Sequence, residues 1–190
     1  MRKPAIILLF CLVIINTAGA AKEIAGIEIP DTLVSASSDS SLTLNGAGIR
    51  EKFFLDIYIA ALYLPERTPD ADVILGDTGP ASVLMHILYG EISKQKITDG
   101  WTDGLEANLS DEKMRALKPQ LDEFNNLFQD LHQGDRIRID YIPGTGTAVS
   151  INNQRRGIVE GNDFYRSLLR IWIGSKPVTR QLKQKILGND

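Results

Sequence analysis

An α+β fold built on an antiparallel sheet is the class this sequence predicts, and three observations predict it. Apolar residues alternate or run together over short segments at residues 24–29, 42–44, 53–64, 83–89 and 136–160, as strands require. Elsewhere they step by three and four, as helices require. The order is strands, helices, strands, helices, which segregates the two and favours antiparallel pairing.

Each element has its own local reason. Residues 24–29 alternate apolar and polar until Pro30-Asp31 stops them, and residues 35–41 form a serine-rich loop. A strand resumes at Leu42, and Asn45-Gly46 is the dipeptide of a tight hairpin turn, since both residues accept positive φ. Residues 53–64 are large, aromatic and β-branched, which predicts a central strand covered on both faces and ended by Pro65. One or two helical turns fit residues 69–75, and residues 83–89 read as another buried strand. Ser93 suits an N-cap for a helix that buries Ile97, Trp101, Leu105 and Leu109. Ser110 caps the next, whose Met114, Leu117, Leu121, Phe124, Phe128 and Leu131 step by 3, 4, 3, 4 and 3. Pro119 should kink or restart that helix, and Gly134 should close it. Residues 136–141, 147–151 and 157–160 then read as a meander of antiparallel strands, turning at Pro143-Gly144 and Asn152-Asn153. Two helices finish the chain. One is capped by Asn162 or Asp163 and buries Phe164, Leu168, Ile171 and Trp172; the other starts at Ser175-Lys176-Pro177 and buries Val178, Leu182 and Ile186.

The chain has 190 residues, of which residues 1–20 read as a secretory signal: Arg2 and Lys3, an apolar run over 5–15, then Ala18-Gly19-Ala20. A retained anchor is the alternative, but the run falls well short of the roughly 20 residues that span a bilayer. Cleavage fits after Ala20 or after Ala21. Cys11 follows Leu9-Phe10 inside the run, which argues against a lipoprotein. Residues 21–190 suit one domain with its own core. Losing Arg2 and Lys3 takes the formal charge from −3 to −5, so nothing favours nucleic acid or an anionic membrane surface. The only cysteine leaves with the signal, and disulfides, thiolate catalysis and cysteine-ligated zinc leave with it. The expected product is exported, suited to a bacterial periplasm, and without stable membrane insertion. Nothing in the sequence specifies its oligomeric state.

Few residues carry recognisable chemistry. His86 and His132 have no partner at chelating spacing, so no metal is expected; His86 reads as a core or pocket residue. No G-x-S-x-G elbow supports a serine hydrolase. Gly46-Ala-Gly48 precedes a strand, so it lacks the helix N-terminus of a phosphate cradle, and no cofactor is expected. Asn108-Leu-Ser110 matches a glycosylation sequon in letters alone. Arg50 stands out at the head of the most apolar strand, where a planar, permanently charged fork could bind a carboxylate or an enolate-like oxygen. The plainer reading is a surface arginine paired with Glu51 or another acid. Tyr58, Tyr63, Tyr89 and Tyr141 fall on expected strands, where a buried phenol needs a partner.

Asn45-Gly-Ala-Gly-Ile-Arg50, followed by Tyr58-Ile-Ala-Ala-Leu-Tyr63-Leu-Pro65, resembles the chalcone isomerase superfamily, in particular its exported bacterial branch. Gly134-Asp135, Phe164, Ile171-Trp172-Ile173-Gly174 with Pro177, and Leu182-Lys183 extend the resemblance over residues 24–188. The resemblance implies an open-faced β-sandwich: a large antiparallel sheet, helices on one face, a smaller sheet on the other, and a ligand cleft between helices and sheet. In the plant enzymes an arginine steers a phenolate onto an enone and stabilises enolate charge. In the fatty-acid-binding members the same arginine and a tyrosine hold a carboxylate. Arg50 matches that arginine and Tyr58 the binders' tyrosine, where the enzymes have threonine. The enzymes' helix-borne tyrosine and asparagine find no match over residues 91–101, and their hydroxyl residue near the C-terminal helix falls on Ile171. On one straight strand Arg50 and Tyr58 would stand about 26 Å apart, at about 3.3 Å per residue. They share a ligand only if the chain reverses between them, with Glu51-Lys52 the candidate point.

The resemblance therefore implies a non-catalytic binder of a fatty acid or similar small amphipathic carboxylate, with Arg50 as anchor and Tyr58 as second donor. Two alternatives stay open: an isomerase of the intramolecular-lyase type, with Arg50 as its one matched catalytic residue, and an envelope scaffold in which Arg50 is structural.

Overall fold

The computed structural model describes residues 22–189, so the signal expected over residues 1–20, Cys11 included, lies outside the described residues. The described residues open with a hairpin, β1 (Lys22–Ile24) and β2 (Ile27–Ile29), turning through Ala25-Gly26 with both φ angles positive. The one strand expected here is two, because alternation reads the same through a two-residue turn.

A seven-stranded antiparallel sheet follows, in the order β11-β10-β9-β6-β5-β4-β3. Its strands are β3 (Thr32–Val34), β4 (Ser41–Lys52), β5 (Leu55–Leu64), β6 (Ala81–Ile87), β9 (Arg136–Ile142), β10 (Gly146–Ile151) and β11 (Gln154–Glu160). Between β5 and β6 lies α1 (Ala71–Gly76), capped by the Asp70 carboxylate, which accepts from the Asp72 and Val73 amides. Between β6 and β9 lie β7 (Glu91–Ile92), α2 (Lys94–Asn108), α3 (Asp111–Asn126) and β8 (Leu131–His132), with β7 and β8 pairing in a small sheet of their own. The chain ends in α4 (Asp163–Ile173) and α5 (Arg180–Ile186).

Strand alternation divides β5 between two cores. Tyr58, Ala60, Leu62 and Leu64 face the helices, while Ile59, Ala61 and Tyr63 pack with Ile29, Leu42 and Leu44 beneath the β1–β2 hairpin. The helical side is the larger, and its centre is aromatic: Trp101 meets Phe124, Phe128 and Trp172 with ring centroids 5.5–5.8 Å apart. One broad sheet with helices on one face and a small hairpin on the other is the α+β, open-faced sandwich that the resemblance implies.

Four local expectations need correction. Asn45-Gly46 is no hairpin turn: β4 runs through it with a bulge, because Gly46 is where α5 presses on the strand. The chain reverses instead at Phe53-Phe54, so β5 begins at Leu55. α3 passes through Pro119 unbroken, its proline on the exposed side where water can reach the freed Arg115 carbonyl, and it ends at Asn126. Gly134, at φ 92°, closes the turn after β8 rather than the helix. Finally, α5 starts at Arg180. The Val178 amide donates to the Ile171 carbonyl at 2.7 Å, which ties residues 175–178 to α4, and the Thr179 hydroxyl caps α5 by accepting from Leu182 at 3.1 Å.

Candidate functional site

Gly46, Gly48 and Arg50 alternate onto the same face of β4, the face toward the helices. The two glycines admit α5. A Cβ on Gly46 would stand 2.6 Å from the Ile186 carbonyl oxygen, and closer still to that of Lys185; one on Gly48 would stand 2.6 Å from Lys185 Cβ. Asn45 fixes the approach by donating from Nδ2 to the Ile186 carbonyl at 2.9 Å. Arg50 is the next residue on that face, and it lines a cleft beside the loop that leads into α5.

The cleft, of about 660 Å³, lies between the end of the β4–β5 hairpin, the β6–β7 loop, α2 and the loop from α4 to α5. Its walls are mainly apolar, with Ile57, Ile97, Trp101, Ile171 and Val178 among them. Asn108, dismissed in the sequence as a sequon, holds the far wall: it donates to the Lys176 carbonyl at 2.8 Å and accepts from the Lys176 amide at 3.0 Å.

Arg50 and Tyr58 are brought together. They are directly paired residues of β4 and β5, because the chain reverses between them at Phe53-Phe54, just past the expected point. The guanidinium lies 5.5 Å from the centroid of the Tyr58 ring, within cation–π range. Arg50 is half-buried, and its Nε is buried with no hydrogen-bond partner. Among the described residues no carboxylate pairs with it, so the surface pairing with Glu51 does not form.

Tyr58 is 2% exposed, at the cleft floor. Its oxygen accepts a hydrogen bond from Trp172 Nε1 at 3.1 Å, leaving its own O–H free to donate. Burial raises the phenol above its ordinary value, opposed by the Arg50 charge and by hydrogen bonding from Trp172 and Arg50. At neutral pH it is a donor and not a phenolate. One free donor, the Tyr58 O–H, and one cation, the Arg50 guanidinium, thus converge at the cleft floor, an arrangement that can take an anion.

The other tyrosines disperse. Tyr63 faces the opposite side and donates to the Pro30 carbonyl at 2.8 Å, and Tyr141 stacks on Tyr165 at 5.3 Å. Tyr89 lies beyond β6 at the cleft mouth. His86 lines a separate cleft of about 450 Å³ on the opposite sheet face, and partial burial with the nearby Arg136 charge lowers its pKa. Among the described residues no group of three or more His, Cys, Asp or Glu could hold a metal ion, and no helix is long and apolar enough to cross a membrane.

Comparison with known proteins adds three findings. The profile of the chalcone isomerase-like family matches residues 21–188. No curated protein matches the sequence. Among solved structures, the crystal structure of a fatty-acid binding protein from Arabidopsis thaliana superposes with a TM-score of 0.66 at 18% identity, covering 90% of this chain and 96% of that one.

Proposed function

The chain belongs to the chalcone isomerase-like family, and from that premise we propose that it is a non-catalytic binder of a fatty acid or similar small amphipathic carboxylate. The observation that carries the reading is a half-buried arginine with no carboxylate partner, set against the ring of a buried tyrosine with a free O–H, at the floor of an apolar cleft. Arg50 supplies the charge, Tyr58 a second hydrogen bond, and the walls from Ile57 to Val178 receive the tail. At about 660 Å³ the cleft falls within the usual range for small-molecule sites, roughly 300–1,000 Å³. The solved fatty-acid binding protein of similar fold supports the same ligand class. In this reading the protein works in an exported compartment after its signal is removed.

Calorimetric titration with oleate and with oleyl alcohol tests it. A charge-assisted hydrogen bond contributes about 1.5–3 kcal/mol, so oleate should bind roughly 10- to 150-fold tighter than the alcohol. Arg50→Ala should erase that preference. Equal affinity for acid and alcohol, or a preference that survives Arg50→Ala, refutes the anchor. Turnover of a chalcone-like enone, lost in Arg50→Ala, would favour the isomerase instead. Loss of stability in Arg50→Ala with no ligand effect would favour the scaffold.

A further inference from the structure

The turn between β4 and β5 breaks the rules of its own geometry. Lys52 pairs with Leu55, leaving a two-residue loop in which Phe53 has φ 51° and Phe54 φ 65°. Such a turn needs left-handed backbone at both positions, which normally selects asparagine, aspartate or glycine. The other two turns of this kind in the described residues obey that preference, at least in part: Ala25-Gly26 joins β1 to β2, and Asn152-Asn153 joins β10 to β11. A bulky side chain in this region is strained.

Burial offers no compensation. Phe53 is 83% exposed and Phe54 fully so, while Leu55 and Tyr89 beside them are 49% and 39% exposed. Two aromatic rings are thus held outward on a strained turn, unburied, with Lys52 Nζ 5.8 Å from the Phe53 centroid as their one ring contact.

Their surroundings indicate what covers them. Phe53, Leu55 and Tyr89 line the cleft, so the tip forms one lip of its mouth. The charged lining residues other than Arg50 are Lys52, Lys96 and Lys176 against Glu91, Asp99 and Asp103, an even mixture of signs. A mixed rim beneath a projecting aromatic pair complements zwitterionic phospholipid headgroups, with the rings reaching the acyl boundary and the lysine stems following them. A protein partner would need far more contact, about 800 Å² on each side, than a two-residue point presents.

We propose that the Phe53-Phe54 tip dips into the interface of a phospholipid bilayer and so turns the cleft mouth toward the membrane. Transfer of an acyl chain from bilayer to cleft rests on the binding reading above; docking of the tip stands without it. The rings carry the attraction, so it needs no anionic lipid and resists salt, in keeping with the acidic charge of the chain.

The test is co-sedimentation with phosphatidylcholine vesicles, alone or doped with phosphatidylglycerol. The wild type should bind both alike, at low and high salt. Phe53→Asn/Phe54→Gly installs the dipeptide this turn prefers, so the variant should melt no lower than wild type. Its vesicle affinity should fall about tenfold or more. Arg50→Ala should keep vesicle binding and lose oleate, so failure of either reading shows separately. The proposal is overturned if the wild type ignores neutral vesicles, or if the double variant binds them as well as wild type does. Binding that requires phosphatidylglycerol and vanishes in salt overturns it too, as does a dimer that the double variant lacks in a wild type that ignores vesicles.

Discussion

Gly46→Ala tests the packing that leaves Arg50 in the open. The new Cβ would lie 2.6 Å from the Ile186 carbonyl oxygen and 2.8 Å from the Gly188 nitrogen, against 3.4 Å or more in ordinary contact. The shortfall is about 0.8 Å at the Ile186 oxygen, and every obstructing atom is backbone, so no side chain can turn aside. The end of α5 must therefore move away from β4. Overpacking of this kind costs about 1–3 kcal/mol. Moving α5 also loosens the Asn45–Ile186 hydrogen bond, worth about 0.5–1.5 kcal/mol. Reduced freedom of the unfolded chain returns about 0.4–1 kcal/mol. The net loss should be about 0.5–4 kcal/mol, which for a domain of this size lowers Tm by roughly 1–16 °C. Thermal and urea unfolding followed by circular dichroism would measure it. Gly100→Ala is the control: the same change inside α2, with nothing within 4 Å of the new methyl, should stabilise by about 0.5–1 kcal/mol. A Gly46→Ala protein that melts at or above wild type refutes the close approach of α5.

Two predictions concern ionisable groups away from the cleft. The Tyr165 hydroxyl is buried without a hydrogen-bond partner, so Tyr165→Phe should stabilise by up to about 1 kcal/mol in urea titrations. Burial, with the Asp140 charge, also raises that phenol far above its ordinary 10.0, so above about pH 10 the unfolded chain releases a proton that the fold retains. Stability should fall as pH rises through that region, and Tyr165→Phe should blunt the fall. His86 has the opposite sign of dependence. Its pKa lies below the ordinary 6.5, so as pH drops past about 6.5 the unfolded chain gains a proton that the fold resists, and stability declines. Urea midpoints across that range should decline less in His86→Gln; an unchanged slope would remove His86 from the account.

What was legible in the sequence was whatever depends on neighbours along the chain. Ser93 and Ser110 cap α2 and α3 through their hydroxyls, and the three–four stepping of Leu117, Leu121 and Phe124 marks a buried helix face. The meander of β9 to β11 followed from alternation. Turn placement failed at Asn45-Gly46 because that glycine answers to α5, some 140 residues away in sequence, and not to its own backbone. It failed again at Phe53-Phe54, where the residues contradict the conformation they adopt.

The site followed the same division. Arg50 and Tyr58 could be named from the resemblance, but their pairing depended on where the strand reversed. Trp172 reads from the sequence as a buried helical residue and part of the resemblance, with no place in the site, although its indole N–H donates to the Tyr58 hydroxyl. Lys96 and Lys176 carry no local signal of a cleft, and Asn108 matches only a sequon, since what brings all three to this side is the packing of α2 against the α4–α5 loop. The spacing Gly46, Gly48, Arg50 was the one local clue, two gaps and then a charge along one strand face.

Native mass spectrometry of the protein, purified from its host without delipidation beside Arg50→Ala, tests the central claim most directly. A co-purifying amphipathic acid, bound to the wild type and missing from a folded Arg50→Ala protein, is the result this account predicts. An empty cleft in both proteins, or the same ligand retained by both, would contradict it.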